Sequence, residues 1–285
     1  MNRRAQTAAG PDGRTLAFAE WGDPDGSPVF SLHGTPTSRL WRTPDESRYA
    51  AAGARVVTYD RAGYGGSDRH RGRRVVDCVA DVEAIADHLG LDRFAVTGRS
   101  GGGPHALAVA ARLPDRVRRA ESVVGIAPFD AEGLDWFDGM DAMNVRETGW
   151  AVAGEDVAAR ELEREAAGIL ERIEADASRV LDDEWELDDV DRSALARPEL
   201  AHVIREAFTE AFRNGVWGWV DDDLAFVAPW GFDVGEIRVP ARVVFGAADV
   251  LVPRGHGEWL ARHIPGADLV VEDDLGHFPD PERVV

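Results

Sequence analysis

Phe94-Ala95-Val96-Thr97-Gly98-Arg99-Ser100-Gly101-Gly102-Gly103-Pro104-His105 is the stretch on which the fold of this chain turns. Residues 94–97 have strand character, and the Ala-rich segment 105–112 reads as a helix. Between them Gly98-Arg99-Ser100-Gly101-Gly102 forms a G-x-S-x-G pattern. A strand before and a helix after are the setting in which that pattern presents a nucleophile. The glycines permit a tight reversal that lifts the serine above the sheet edge, with its hydroxyl near the positive end of the helix. Taken alone, the pentapeptide would equally suit a packing turn or a phosphate cradle.

Outward from this turn, β-branched runs alternate with helical stretches. Residues 15–21, 28–32, 55–59, 121–126, 242–245 and 269–271 read as further strands. Val75, Val79, Val82, Ala86 and Leu89 fall on one helical face that Gly90 closes. Such alternation points to an α/β fold with a mostly parallel sheet covered by helices. It stops over 128–230, where Leu162, Ala166, Ile169 and Ile173 form one helical stripe. The expected organisation is therefore a core of 1–127 and 231–285, with a helical cap of 128–230 inserted before the last two strands. The final residues, Pro281 to Val285, read as the start of a helix, so either the core is trimmed or the chain is a fragment.

Charge separates the two parts. The 285 residues carry 52 acids against 32 arginines and no lysine, a net charge of −20. Residues 128–230 hold 27 of those acids and only 9 of the arginines. This balance argues against nucleic acid and anionic membranes as partners and is compatible with a small-molecule substrate. The acidic cap has three readings: a solvated surface adapted to high salt, attraction of a cationic substrate, or partner docking, in that order. Six of the nine tryptophans also lie here, which suggests an apolar cavity under the cap. Cys78 is the sole cysteine, a small core residue that excludes an internal disulfide and a cysteine-based zinc site. No apolar run is long enough to span a bilayer, and no apolar stretch follows Arg3-Arg4, so a cytoplasmic location is expected. No metal or organic cofactor is indicated; oligomeric state is not legible.

A nucleophilic serine needs a base, and the base an orienting acid. Asp249 in Phe245-Gly246-Ala247-Ala248-Asp249 follows one strand, and His277 in Leu275-Gly276-His277-Phe278 follows the last. His33-Gly34-Thr35-Pro36 follows an upstream strand. His105 and His256 read as structural; Arg99 is either structural or a substrate contact.

These segments, with Asp60-Arg61-Ala62-Gly63-Tyr64-Gly65-Gly66-Ser67, stand in the order of the α/β-hydrolase superfamily, which the chain resembles across its whole core. The similarity is greatest to the small-molecule branch that holds esterases, haloperoxidases, epoxide hydrolases and proline iminopeptidases. It implies Ser100 as nucleophile, His277 as general base and Asp249 as orienting acid, with the N–H groups of Thr35 and Gly101 as oxyanion hole; Asp130, where some members carry the acid, is the rival to Asp249. His33, Gly34, Arg99, Trp217 and Trp219 are expected around the substrate. A serine at the elbow argues against the aspartate-based dehalogenases and epoxide hydrolases. His33-Gly34-Thr35-Pro36 departs from the His-Gly-Gly-Pro of proline iminopeptidases, and Gly102 stands where those enzymes tend to carry tryptophan. A carboxylesterase-like serine hydrolase is thus expected first, an aminopeptidase or a ligand receptor with little turnover after it.

Overall fold

Two extended segments, β1 (Gln6–Ala9) and β2 (Thr15–Gly22), pair as an antiparallel hairpin at one edge of the sheet. The computed structural model describes residues 3–181, 185–273 and 275–278. After the hairpin come β3 (Ser27–Leu32), α1 (Ser47–Ala51), β4 (Ala54–Tyr59), α2 (Cys78–His88), β5 (Phe94–Arg99), α3 (Gly102–Arg112) and β6 (Val117–Val123). Helices α4 (Ala142–Ala153), α5 (Glu155–Ala175), α6 (Asp189–Leu195), α7 (Pro198–Ala211) and α8 (Trp217–Val227) then interrupt the alternation, and β7 (Ala241–Gly246), α9 (Arg254–His263) and β8 (Asp268–Glu272) resume it. No helix among the described residues is long and apolar enough to cross a membrane.

The eight strands run in the order β1-β2-β4-β3-β5-β6-β7-β8, parallel throughout from β4 to β8. Burial explains the composition of the central strands. Val56, Val57 and Tyr59 on β4 are inaccessible, as β-branched and aromatic residues are when helices cover both faces. The same logic selects one face of α2, where Val79, Val82, Ile85 and Ala86 pack inward.

Sheet order also fixes where a site can form. From β3 the chain steps to β4 on one side, then crosses to β5 on the other. The crevice at such a switch point, beyond the carboxyl ends of the strands, is where open α/β sheets bind ligands. Leu32 pairs with Gly98 there, so the loop after β3 and the turn after β5 emerge side by side.

The five inserted helices bury a hydrophobic cluster that includes Leu162, Ala166, Ile169 and Ile173 of the expected stripe. Two local expectations need correction, and one strand goes beyond them. Residues 6–9 form a strand because their backbone completes the hairpin, although their side chains are only partly buried. The strand expected over 121–126 lies at Val117–Val123: Val124, at φ 45°, turns the chain out of the sheet. Helix α3 starts at Gly102, three residues before the expected boundary. The segment 281–285 lies outside the described residues.

Candidate active site

Ser100 occupies a left-handed backbone conformation, φ 50°, which costs free energy for any residue other than glycine. Neighbouring glycines make the turn possible. A Cβ on Gly98 would overlap the Gly102 carbonyl, and a Cβ on Gly102 would overlap the Leu32 carbonyl. Ser100 N–H donates to the Val123 carbonyl at 2.8 Å, which ties the turn to β6. The side chain is left half-buried at the mouth of two cavities.

The loop after β3 packs directly on this turn. A Cβ added to Gly34 would sit 3.4 Å from Ser100 Cβ, and one added to Gly101 would run into Thr35. Among the described residues no acceptor takes the backbone N–H of Thr35 or of Gly101. Two unengaged donors beside a serine hydroxyl are what an oxyanion requires.

Asp249 and His277 form the third component. Asp249 Oδ1 accepts from the N–H groups of Leu251 and Val252, both at 2.9 Å, and Oδ2 meets His277 Nδ1 at 2.9 Å. Both residues are buried. With Nδ1 engaged, Nε2 is the ring nitrogen left for a proton transfer. His277 and Ser100 line one cavity, without a hydrogen bond between them among the described residues. Asp130, the rival acid, is exposed.

The remaining expected site residues separate. Gly34, Arg99 and Trp219 line the same cavity as His277. His33 does not: it is buried, accepts from the Arg61 N–H at 3.2 Å, and lies edge-on to Tyr64. Burial, reinforced by the Arg61 guanidinium, holds its pKa well below the usual imidazole value. Trp217 does not either. It is 38% exposed and stacks against Arg69, whose Cζ is 4.0 Å from the ring. His105 contacts the Gly101 carbonyl at 2.8 Å, and burial lowers its pKa to about 3. His256 is likewise lowered to about 4 by burial while it bridges the Ala127 N–H and the Trp136 carbonyl. Both are neutral structural residues.

Four acids escape a sequence reading. Asp222 on α8 is fully buried and takes Thr35 Oγ1 at 2.6 Å, Tyr64 OH at 3.0 Å, Arg61 Nη2 at 2.5 Å and Arg73 Nη2 at 2.7 Å. Burial would raise its pKa, but the Arg61 and Arg73 guanidiniums prevail and hold it well below the usual carboxylate range. The loop that bears Thr35 thus rests on a buried ion cluster. Asp191 on α6 accepts the backbone N–H groups of His277 and Phe278.

Glu147 and Asp223 pair in the wall of the second cavity beside Ser100. Burial lifts Glu147 to about 7 and Asp223 well above its ordinary value, the proximity of the two carboxyls adding to the latter. Glu147 also accepts from Trp219 Nε1 at 2.8 Å, whereas Asp223 Oδ2 has no partner. One signal was available for two of these acids: Asp221-Asp222-Asp223 interrupts an apolar segment, and all three are buried. Among the described residues no cluster of three or more His, Cys, Asp or Glu could hold a metal ion.

The family profile described as the alpha/beta hydrolase fold matches residues 27–282. A proline iminopeptidase of Xanthomonas citri is 29% identical over 96% of this chain and 90% of its own. A 2-hydroxy-6-oxo-2,4-heptadienoate hydrolase of Pseudomonas putida is 29% identical over 90% of this chain and 85% of its own. The solved structure of a thermophilic esterase from Thermogutta terrifontis superposes with a TM-score of 0.68 at 23% identity, covering 98% of this chain and 93% of that one. With the serine turn, the paired loop and the histidine–aspartate couple at one end of the sheet, and the profile spanning nearly the whole chain, this protein belongs to the alpha/beta hydrolase family.

Proposed function

We propose that the protein is a serine hydrolase that cleaves a small carboxylic ester, or a related acyl substrate, through an acyl-enzyme on Ser100. One observation carries the reading: the strained Ser100 and Thr35 line both of two adjoining cavities, with Gly101 in one and His277, anchored by Asp249, in the other. Ser100 Oγ attacks the acyl carbonyl as its proton passes to His277 Nε2. Charge that develops on the carbonyl oxygen is met by the N–H groups of Thr35 and Gly101; one such donor is typically worth about 2.7–4 kcal/mol in the transition state. His277 then gives the proton to the leaving oxygen, and a water activated by His277 hydrolyses the acyl-enzyme.

The two cavities divide these tasks. The leaving group has to reach His277, so it occupies the cavity that His277 lines with Trp41, Ile169, Trp185 and Phe208. The acyl portion is left with the cavity lined by Ile126, Trp136 and Phe226. Apolar side chains supply at least half of each lining, which suits a small ester.

A second reading rests on Glu147 and Asp223 in the acyl cavity. A carboxyl pair that holds a proton and leaves Asp223 Oδ2 unpartnered would welcome an ammonium group on the acyl portion. An aminoacyl ester or amide is therefore the alternative substrate. Stopped-flow hydrolysis of p-nitrophenyl butyrate, with Ser100→Ala alongside, tests the first reading: a burst near one equivalent, absent in the variant, is expected. Equal slow hydrolysis by both proteins would refute it. Faster cleavage of proline p-nitroanilide than of a matched ester would favour the second.

A further inference from the structure

His277 sits on a short loop beyond β8, yet the group that holds its backbone comes from the cap. The N–H of His277 donates to Asp191 Oδ2 at 2.9 Å, and the N–H of Phe278 donates to Oδ1 at 2.6 Å. Asp191 is inaccessible to solvent, and among the described residues no cation pairs with it. Burial pushes its carboxyl up, and those two N–H groups pull the other way. A carboxylate sequestered without a counter-ion is costly. Packing alone would be served as well by an apolar residue, so the two hydrogen bonds call for a reason.

The fit between the two segments is close. A Cβ on Gly276 would run into the Asp191 carboxyl group, and Gly276 is not in the left-handed region, so space and not conformation demands glycine there. Both oxygens are in use, one for each of two consecutive N–H groups. The chain bearing His277 is thereby fixed in position and in direction. Thr35, which lines the same cavity as Ser100 and His277, is held by its side chain to Asp222 of α8.

We propose that Asp191 is a positioning residue for His277: it clasps the histidine loop to α6, so that the histidine is aligned for Ser100 only while that part of the cap is docked. The proposal rests on the serine-hydrolase reading above. Opening of the cap would then release substrate access and disarm the histidine in one movement. Water admitted to an open site would meet an unaligned base.

Asp191→Asn isolates the effect. Asparagine has nearly the same shape, but it offers one acceptor and turns an NH2 toward the second backbone N–H. The expected result is a fall of about 10- to 100-fold in kcat per active site, counted by fluorophosphonate labelling, with KM for p-nitrophenyl butyrate unchanged within about twofold. The downfield proton resonance of the His277–Asp249 hydrogen bond should broaden or vanish in the variant. Gly276→Ala should give the same loss from the other side, and should add less than about twofold when combined with Asp191→Ala. Wild-type kcat per site and an intact resonance in Asp191→Asn would overturn the proposal. So would multiplicative losses in the double variant. If Ser100→Ala hydrolyses the ester as fast as wild type, the hydrolase reading fails instead, and the resonance still decides whether Asp191 holds the histidine.

Discussion

Glu147→Gln offers a direct test of the buried carboxyl pair. Glutamine keeps the shape, can accept from Trp219 Nε1 through its oxygen, and can donate to Asp223 through its nitrogen. It removes only the ionisation. Burial holds the Glu147 carboxyl at about 7 against an ordinary 4.5. The native state therefore keeps a proton that the unfolded chain releases, and wild-type stability falls as pH rises from about 4.5 to about 7, levelling off above. Full expression of that difference is about 3 kcal/mol, a ceiling because Asp223 shares the proton. The variant should match wild type near pH 5, where both residues present a neutral group. By pH 8 it should be more stable by up to about 3 kcal/mol. Urea unfolding at pH 5, 6, 7 and 8, each extrapolated to water, measures the gap. A gap constant from pH 5 to pH 8 would refute the argument that this carboxyl enters the fold protonated.

Other consequences follow from single contacts. Asp222→Ala strands the Arg61 and Arg73 guanidiniums in a buried site and should cost about 3–5 kcal/mol in urea unfolding. Gly102→Ala drives a Cβ into the Leu32 carbonyl and should cost about 3 kcal/mol or more, read as a fall in the unfolding midpoint. Asp249→Asn leaves the loop intact but presents an NH2 where His277 Nδ1–H now finds an acceptor. Under the proposed mechanism kcat for the ester should drop about 10⁴-fold with little change in stability.

The core was legible because its signals are local. A strand, a glycine-rich reversal and a helix stand within about twenty residues around Ser100, and period-two and period-3.6 patterns mark the flanking elements. Asp249 and His277 stand out as candidates because each follows a strand whose place in the order is set by the flanking pattern. What escaped depends on contacts far apart in the chain. Asp191 reaches a backbone 86 residues away, and Arg61 and Asp222 are 161 apart; no spacing rule connects them. Trp217 and Trp219 show the limit most simply. Two residues apart on α8, one lines the cavity and the other lies outside under Arg69, a difference set by how the helix is rotated against its neighbours. Strand β1 was missed because it is held by backbone hydrogen bonds and carries little apolar patterning.

The acidity of the cap also acquires a different meaning once its partners are seen. Residues 1–127 hold 18 arginines and 15 acids, so the core segment facing the cap carries the opposite excess. Six of those arginines pair with the cap. Arg39 meets Glu210 at 2.6 Å, Arg42 meets Glu206 at 2.9 Å, and Arg71 meets Glu155 at 3.1 Å. Arg69 bridges Asp221 and Glu155, while Arg61 and Arg73 converge on Asp222. Part of the acidic excess is thus the cap's half of a charged seam and not a solvated face. The seam is graded. Its rim, at Arg71, is exposed and open to screening by salt; its centre, at Asp222, is dry, where screening is weak and a lost partner is expensive. Thr35 is thus held beside Ser100 at the part of the seam where a lost partner costs most. Loss of Arg71 at the rim should therefore cost far less stability than loss of Asp222 at the centre.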